Sequence, residues 1–337
     1  MIQQAIKTVI EGRDLTRQEA YEVMSTIMNG EATPAQIAAF LVASKLKGEK
    51  FQEIAGFAHA MREKASTVVT QYTDAIDMCG TGGDGFGTFN ISTVASLVVA
   101  GGGVPVAKHG NRSISSQCGS ADLLEALGVR IDLSAEKVGL CLDKIGIAFL
   151  FAPVLHRAMK HAISPRREIG VRTVFNILGP ITNPAGVRRQ VLGVYDPNLA
   201  RLMAEVLREL SADHILIIHG EEGLDEVSIH GPTFVVELCR GKIIERRLLP
   251  ENFGMNCTRR NGVSGGTPNE NAKITLEILH GKKGPARDIV VANAACGFVV
   301  GGAAQNFLEG AKLAQESINS GAAMKKLEAL IEVSNIL

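Results

Sequence analysis

The chain has 337 residues, 46% of them hydrophobic, which is enough to bury a substantial core in one large domain or two and makes a globular protein the expectation. Lys plus Arg and Asp plus Glu number 35 each, a balance that removes any whole-molecule attraction for nucleic acid or an anionic membrane, so an anion site must be local. The six cysteines lie far apart, with no C-x-x-C pair and no neighbouring histidine, which argues against zinc and against a disulfide framework.

Met1 to Ala20 lacks a basic stretch followed by an apolar run. The longest apolar stretch, Val94 to Ala107, is interrupted by Ser96 and three glycines and is too short to cross a bilayer. A cytoplasmic protein is expected. Residues 1–70 read as consecutive helices: Thr16 followed by Glu19 makes a capping box, and Thr33, Pro34 and Gln36 combine an N-cap, a first-turn proline and a second box. Gly30 and Gly48 mark helix ends, while Ile37, Phe40, Leu41 and Ser44, then Ile54, Phe57, Ala58 and Met61, recur at helical spacing.

After Gln71, short β-branched runs alternate with helical stretches. Strands are expected at residues 75–78, 104–107, 147–151, 191–194, 214–219, 233–237 and 242–246, with helices at 92–100, 121–127, 135–145, 199–210, 286–301 and 307–317. This predicts an α/β fold: a small helical domain over 1–70, joined by a helical segment around 165–187, and a larger α/β domain over 71–337 with a mostly parallel central sheet. The pattern does not give the strand order. Residues 261–267 (NGVSGGT) read as the clearest surface loop.

Four segments carry chemistry. The strand ending at Met78 runs into GTGGDGFGTFNIST, Gly80 to Thr93, where glycines at 80, 82, 83, 85 and 87 turn backbone amides toward an anion. Thr88, Asn90, Ser92 and Thr93 add donors at a helix N-terminus. No Gly-Lys-Ser/Thr closes it, so it is not a Walker loop, and Asp84 would face an incoming pyrophosphate unless a metal intervened. Lys108 to Ser120 (KHGNRSISSQCGS) follows the next strand and offers a point charge at Lys108, the amide of Asn111, and hydroxyls at Ser113, Ser115, Ser116 and Ser120, the last also a candidate N-cap. Two adjacent phosphate-type loops point to a diphosphate. Asp225-Glu226, on a loop at a strand's carboxyl end, is either a magnesium site or a solvated acidic pair. Arg166, Arg167 and Arg172 offer forks for a carboxylate, and Gly179-Pro180 with Asn183-Pro184 mark a rigid loop rather than a helix.

Gly80-Thr-Gly-Gly-Asp84, Thr88 to Thr93, Lys108-His-Gly-Asn-Arg112, Arg172 to Asn176, Gly179-Pro180 and Asp225-Glu226 together resemble the anthranilate phosphoribosyltransferases. The resemblance implies a helical domain hinged to a nucleoside phosphorylase-like α/β domain, a homodimer, and transfer of phosphoribosyl from phosphoribosyl pyrophosphate to anthranilate with two magnesium ions. It puts the sugar-phosphate and pyrophosphate contacts on Gly80, Gly83, Asp84, Thr88, Asn90, Ser92, Thr93, Lys108, Ser116 and Ser120. Magnesium falls on Ser92, Asp225 and Glu226, and anthranilate on Gly80, His109, Asn111, Arg166 and Gly179. Arg167 and Arg172 then revert to structural roles. Leaving-group stabilisation goes to Lys108 and magnesium, and His109 stays open between a base and an orienting side chain. A pyrimidine nucleoside phosphorylase would share this architecture but carry a different substrate loop and use free phosphate.

Overall fold

The structure is a computed structural model that describes residues 1–113, 117–257 and 262–337. Helices α1 (Ile2–Ile10), α2 (Arg17–Met28), α3 (Pro34–Lys47) and α4 (Phe51–Glu63) open the chain. Both expected capping boxes form. Thr16 Oγ1 accepts the Glu19 amide at 3.2 Å and Glu19 Oε2 accepts the Thr16 amide at 2.8 Å; Thr33 and Gln36 make the same exchange at 3.3 and 2.9 Å. Each box satisfies amides that a helix's first turn leaves without intrahelical partners.

The alternation that follows is β1 (Ile76–Gly80), α5 (Ile91–Gly101), β2 (Val106–Gly110), α6 (Ser120–Ala126), α7 (Ala135–Ile145), β3 (Ile147–Phe151), α8 (Ala152–Leu155), α9 (Lys160–Ile169) and α10 (Phe175–Leu178). It continues as β4 (Arg189–Gly193), α11 (Asn198–Glu209), β5 (His214–Gly220), β6 (Thr233–Cys239), β7 (Lys242–Leu248), α12 (Pro268–Leu279), α13 (Pro285–Val300), α14 (Phe307–Asn319) and α15 (Ala322–Ile336). The strands order as β3-β2-β1-β4-β5-β6-β7, parallel from β3 to β5 and antiparallel across the last two pairs. The expected mostly parallel sheet with an N-terminal helical body is therefore what forms. The chain leaves β1 for β2 on one side and returns to β4 on the other, so a topological switch point lies at the carboxyl end of β1, where open α/β sheets bind ligands.

Alternate residues of β4, β5 and β6 feed two cores. Val191, Leu216, Ile218 and Val235 face the core built with α5, α13, α14 and α15, whereas Leu192, Ile215, Ile217 and Val236 face the one built with α1 to α4, α9, α10 and α11. The helical body thus shares its core with one face of the sheet. Helix α9 starts at Lys160, ahead of the expected helical segment around 165–187, and carries Pro165 in its interior, where the missing amide costs a hydrogen bond. The rigid loop expected around Gly179-Pro180 and Asn183-Pro184 is preceded by α10 and begins as a 3-10 turn over Gly179–Ile181, with Thr182 Oγ1 donating to the Leu178 carbonyl at 3.0 Å.

Under the switch point lies a buried polar network. Asp77 is fully buried on β1 and accepts from Asn183 Nδ2 at 2.9 Å, the His109 amide at 3.1 Å and Gln190 Nε2 at 3.3 Å. Burial pushes its carboxyl pKa up, while Lys108 and these hydrogen bonds pull it back. Asn183 Nδ2 also donates to the Ala107 carbonyl at 2.9 Å, so one amide ties β1, β2 and the segment before β4 together. Replacing Asn183 by Leu is expected to lower the free energy of unfolding by about 3 kcal/mol, read as a lower urea midpoint at unchanged slope.

Candidate active site

The loops after the parallel strands converge at the carboxyl edge. Gly80 ends β1 beside Gly193 at the end of β4. A Cβ on Gly193 would lie 1.7 Å from the Asp225 carbonyl oxygen, so that position requires glycine, and one on Gly80 would lie 2.7 Å from Asp225 Oδ2 and push the carboxylate off its place. Through that gap the loop after β5 folds over the edge. Asp225 Oδ2 accepts the Gly82 amide at 2.9 Å and Glu226 Oε1 accepts the Ser92 amide at 3.1 Å, inside the first turn of α5. The acidic pair is thereby joined to the glycine-rich loop and is not a solvated surface feature.

Asp84 completes a cluster of carboxyl groups. Its Oδ1 accepts the Phe86 amide at 3.1 Å, and its side chain meets the Asp225 carboxyl group. Asp225 is pushed up to about 7, chiefly by burial and then by the Asp84 charge. Glu226 lies well above the ordinary carboxyl range, again chiefly by burial, then by Asp225, with Lys108 and the Ser92 amide opposing. Acidic groups held together out of water resist ionising together unless a cation joins them, and an oxygen-rich donor set suits magnesium. The residues present fit that ion.

Lys108 is buried, and its Nζ donates to the Met78 carbonyl at 2.6 Å, beneath the loop. Thr93 Oγ1 is buried without a partner. Among the described residues, the amides of Gly83, Asp84 and Gly85 also lack partners. Thr88 bridges to Ser264, while Gly265 donates to the Gly87 carbonyl at 2.8 Å and Phe89 to the Val263 carbonyl at 3.3 Å. The described part of the expected surface loop at 261–267 therefore straps the phosphate loop down. Asn90 precedes α5, and its side chain is engaged inside the fold, donating to the Cys118 carbonyl and accepting from Asn271 Nδ2, both at 3.0 Å. Ser120 is not the cap of α6 that the sequence suggested. It is the first helical residue, with Gly119 before it, and its hydroxyl exchanges hydrogen bonds with the Asn111 backbone at 3.2 Å. Ser116 lies outside the described residues.

A second group of side chains lies along α8 to α10. The ring of His109 stands 5.2 Å from that of His156. Each bonds a backbone carbonyl, Gly179 for His109 and Thr182 for His156, and each leaves Nε2 buried without a partner. Burial foremost lowers His109 to about 3 and His156 to about 4, so both are neutral near pH 7. A base that weak does little proton abstraction there, which favours an orienting role for His109. Arg166 is half-buried on α9 with its guanidinium 5.0 Å from the Phe175 ring centroid and no carboxylate partner, and burial lowers its pKa. Beside Gly179 there is open space.

Sequence reasoning missed three participants. Arg172, taken as structural, reaches the glycine-rich loop, donating from Nη2 to the Thr81 and Gly82 carbonyls at 3.2 and 3.0 Å. Tyr195 lies under that guanidinium at 3.9 Å, and His156 accompanies His109. No spacing signal marks them, because each comes from a distant stretch of chain. The expectation of no histidine near a cysteine also changes: strand pairing sets Cys239 opposite His214 and near Glu237. Glu237 is already paired with both His214 and Arg246.

Residues 72–324 match the a/b domain of the glycosyl transferase family, and residues 3–65 match its helical bundle domain. The anthranilate phosphoribosyltransferase of Pelotomaculum thermopropionicum is 55% identical over all of this chain and 98% of its own. The crystal structure of the Thermus thermophilus enzyme of that name is 46% identical with a TM-score of 0.93, covering 98% of this chain and 99% of that one. The Saccharomyces cerevisiae enzyme, solved in complex with phosphoribosyl pyrophosphate and Mg, is 29% identical with a TM-score of 0.92, covering 100% and 98%; it is also known in complex with 4-fluoroanthranilate.

The carboxyl cluster makes metal binding a proton exchange. Asp225 carries its proton below about pH 7 and must release it to a cation, so Mg2+ affinity is expected to rise between pH 6 and 8, with proton release seen by calorimetry in buffers of different ionisation enthalpy. The raised pKa means that the metal-free fold holds a proton the unfolded chain would lose. Its stabilising contribution is complete below the unfolded value and is lost as pH rises through about 7. Asp225→Asn should therefore raise the melting temperature of metal-free protein by a few degrees at pH 8 and little at pH 5.

Proposed function

The chain belongs to the anthranilate phosphoribosyltransferase family, and from that membership we propose how its loops divide the reaction. The enzyme transfers the phosphoribosyl group from phosphoribosyl pyrophosphate to the amine of anthranilate, in tryptophan biosynthesis, and it uses Mg2+. The observation that carries the division of labour is the pairing of a carboxyl-lined glycine loop with an arginine, Arg166, that has no carboxylate partner among the described residues.

In this reading the free amides after Gly82, the hydroxyls of Ser92, Thr93 and Thr88, and the Gly80, Gly83 and Asp84 turn hold the donor's phosphates. Lys108, Asn90, Ser116 and Ser120 complete that side. Ser92, Asp225 and Glu226 hold two magnesium ions, which when bound supply positive charge to the departing diphosphate. Asn90 contributes chiefly by holding the loops, since both ends of its side-chain amide are engaged.

Anthranilate lies against Gly80, His109, Asn111 and Gly179, with its carboxylate on Arg166. That carboxylate supplies the counter-ion Arg166 otherwise lacks, and a planar fork suits it. The amine lone pair forms the new bond to the anomeric carbon as the bond to pyrophosphate breaks with its electron pair, and the nitrogen then gives up a proton. An aromatic amine is neutral near pH 7, so alignment of the two substrates replaces a strong base. Neutral His109 offers Nε2 as an acceptor that orients the amine.

Two further assignments go with it. The helical body exposes Ile10 and Leu46, which supports a homodimer through that body, and the enzyme works in the cytoplasm. Among the described residues no helix is long and apolar enough to cross a membrane. Sedimentation as a monomer at micromolar concentration would remove the dimer.

Loss of anthranilate fluorescence on adding phosphoribosyl pyrophosphate and Mg2+ is the direct assay, and no loss would overturn the assignment. The double change Asp225→Asn with Glu226→Gln should cut turnover by about 10²–10³; unchanged magnesium dependence would sink the metal reading. Arg166→Ala should raise the KM for anthranilate at least about tenfold with that for phosphoribosyl pyrophosphate largely kept.

A further inference from the structure

Arg172 lies in the link between α9 and α10, yet its side chain acts on a loop 90 residues earlier. Its Cζ rests 3.9 Å from the Tyr195 ring centroid, and its Nη2 donates to two successive carbonyls, Thr81 and Gly82. A Cβ on Gly83 would lie 1.6 Å from Nη1, so the left-handed turn at Gly83, with φ +80°, presses directly on the guanidinium. Among the described residues, Nε is buried with no hydrogen-bond partner. The stack and the two carbonyls, not the full satisfaction of its own donors, set where the group sits.

We infer that Arg172 is a positioning residue for the phosphoribosyl pyrophosphate loop: seated on Tyr195, it takes the Thr81 and Gly82 carbonyls, and with Asp225 holding the Gly82 amide the free Gly83 amide at the far end of the Gly82 peptide is left to face the donor's diphosphate. The inference rests on the assignment of this loop to that substrate. Each residue up to Gly82 is gripped. The Thr81 amide donates to the Gly193 carbonyl at 2.9 Å, Thr81 Oγ1 accepts the Tyr195 amide at 3.2 Å, and the Gly82 amide goes to Asp225. After Gly82 the grip ends, and the next three amides have no partner among the described residues.

A carbonyl rotated toward the diphosphate would repel it and remove a donor. A cation on one side, Arg172, and an anion on the other, Asp225, hold the peptide plane against that rotation. Lysine is a poor replacement for the arginine, because its ammonium cannot stack flat on the Tyr195 ring and so loses the seat that aims the donor at the two carbonyls. Arg172 also joins the two substrate sides: α9 carries Arg166 and packs on α2 and α3, so the segment that serves the acceptor also braces the donor loop.

The test combines kinetics with hydrogen exchange on Arg172→Met and Arg172→Lys. Both should raise the KM for phosphoribosyl pyrophosphate and lower kcat, each by about tenfold or more, while the KM for anthranilate stays within about twofold. The amides of Thr81 and Gly82, hydrogen-bonded to the Gly193 carbonyl and to Asp225, should exchange faster in both. If Arg172→Met does not fold, Tyr195→Leu, which removes the seat and keeps the cation, should give the same split more weakly. Kinetic constants and loop exchange both near wild type, or equal losses for the two substrates, would overturn the inference. Faster loop exchange with an unchanged KM for phosphoribosyl pyrophosphate would support the bracing by Arg172 and overturn the assignment of the loop to that substrate.

Discussion

Two paired glycines at the ends of neighbouring central strands are the constraint on which the site depends. Gly80 and Gly193 stand opposite each other in the sheet, and Asp225 occupies the space that side chains there would fill. Without that space the loop after β5 could not cross the sheet edge, and Asp225 and Glu226 could not meet the glycine-rich loop. The switch point supplies an open crevice; the glycines allow a third loop into it.

What enters the crevice is charge that the fold alone does not neutralise. Asp77 lies at the bottom, Lys108 influences both it and Glu226, and Asp225 and Asp84 lie above. One buried ammonium serves several carboxyl groups, and the raised pKa values of Asp225 and Glu226 express the deficit. In the proposed function, a cation carried in with the donor would remove it. The site is destabilised by the arrangement that makes it bind, a common trade between stability and function.

The acceptor side follows the opposite rule. His109 and His156 are kept neutral by burial, and Arg166 keeps its charge without a counter-ion. A neutral, partly apolar pocket with one cation suits an aromatic carboxylate whose amine must remain a nucleophile. The chain from α9 to Asn183 links the halves, since it provides Arg166, Arg172, the carbonyl that orients His109 and the amide that ties down Asp77.

The sequence by itself determined the helix starts at Thr16 and Thr33, the alternation of strand and helix, and the glycine-rich loop, because capping, periodicity and backbone freedom depend on near neighbours in the chain. Candidate ligands such as Lys108, Asp225 and Glu226 were legible as residue types at strand ends. Their partnership was not: which strands adjoin, that Asp225 bonds Gly82, and that Arg172 and not Arg167 reaches the loop depend on contacts between residues far apart in the chain. The neutral state of His109 was hidden for the same reason. The desolvation that shifts a pKa exists only once the chain has folded around the group.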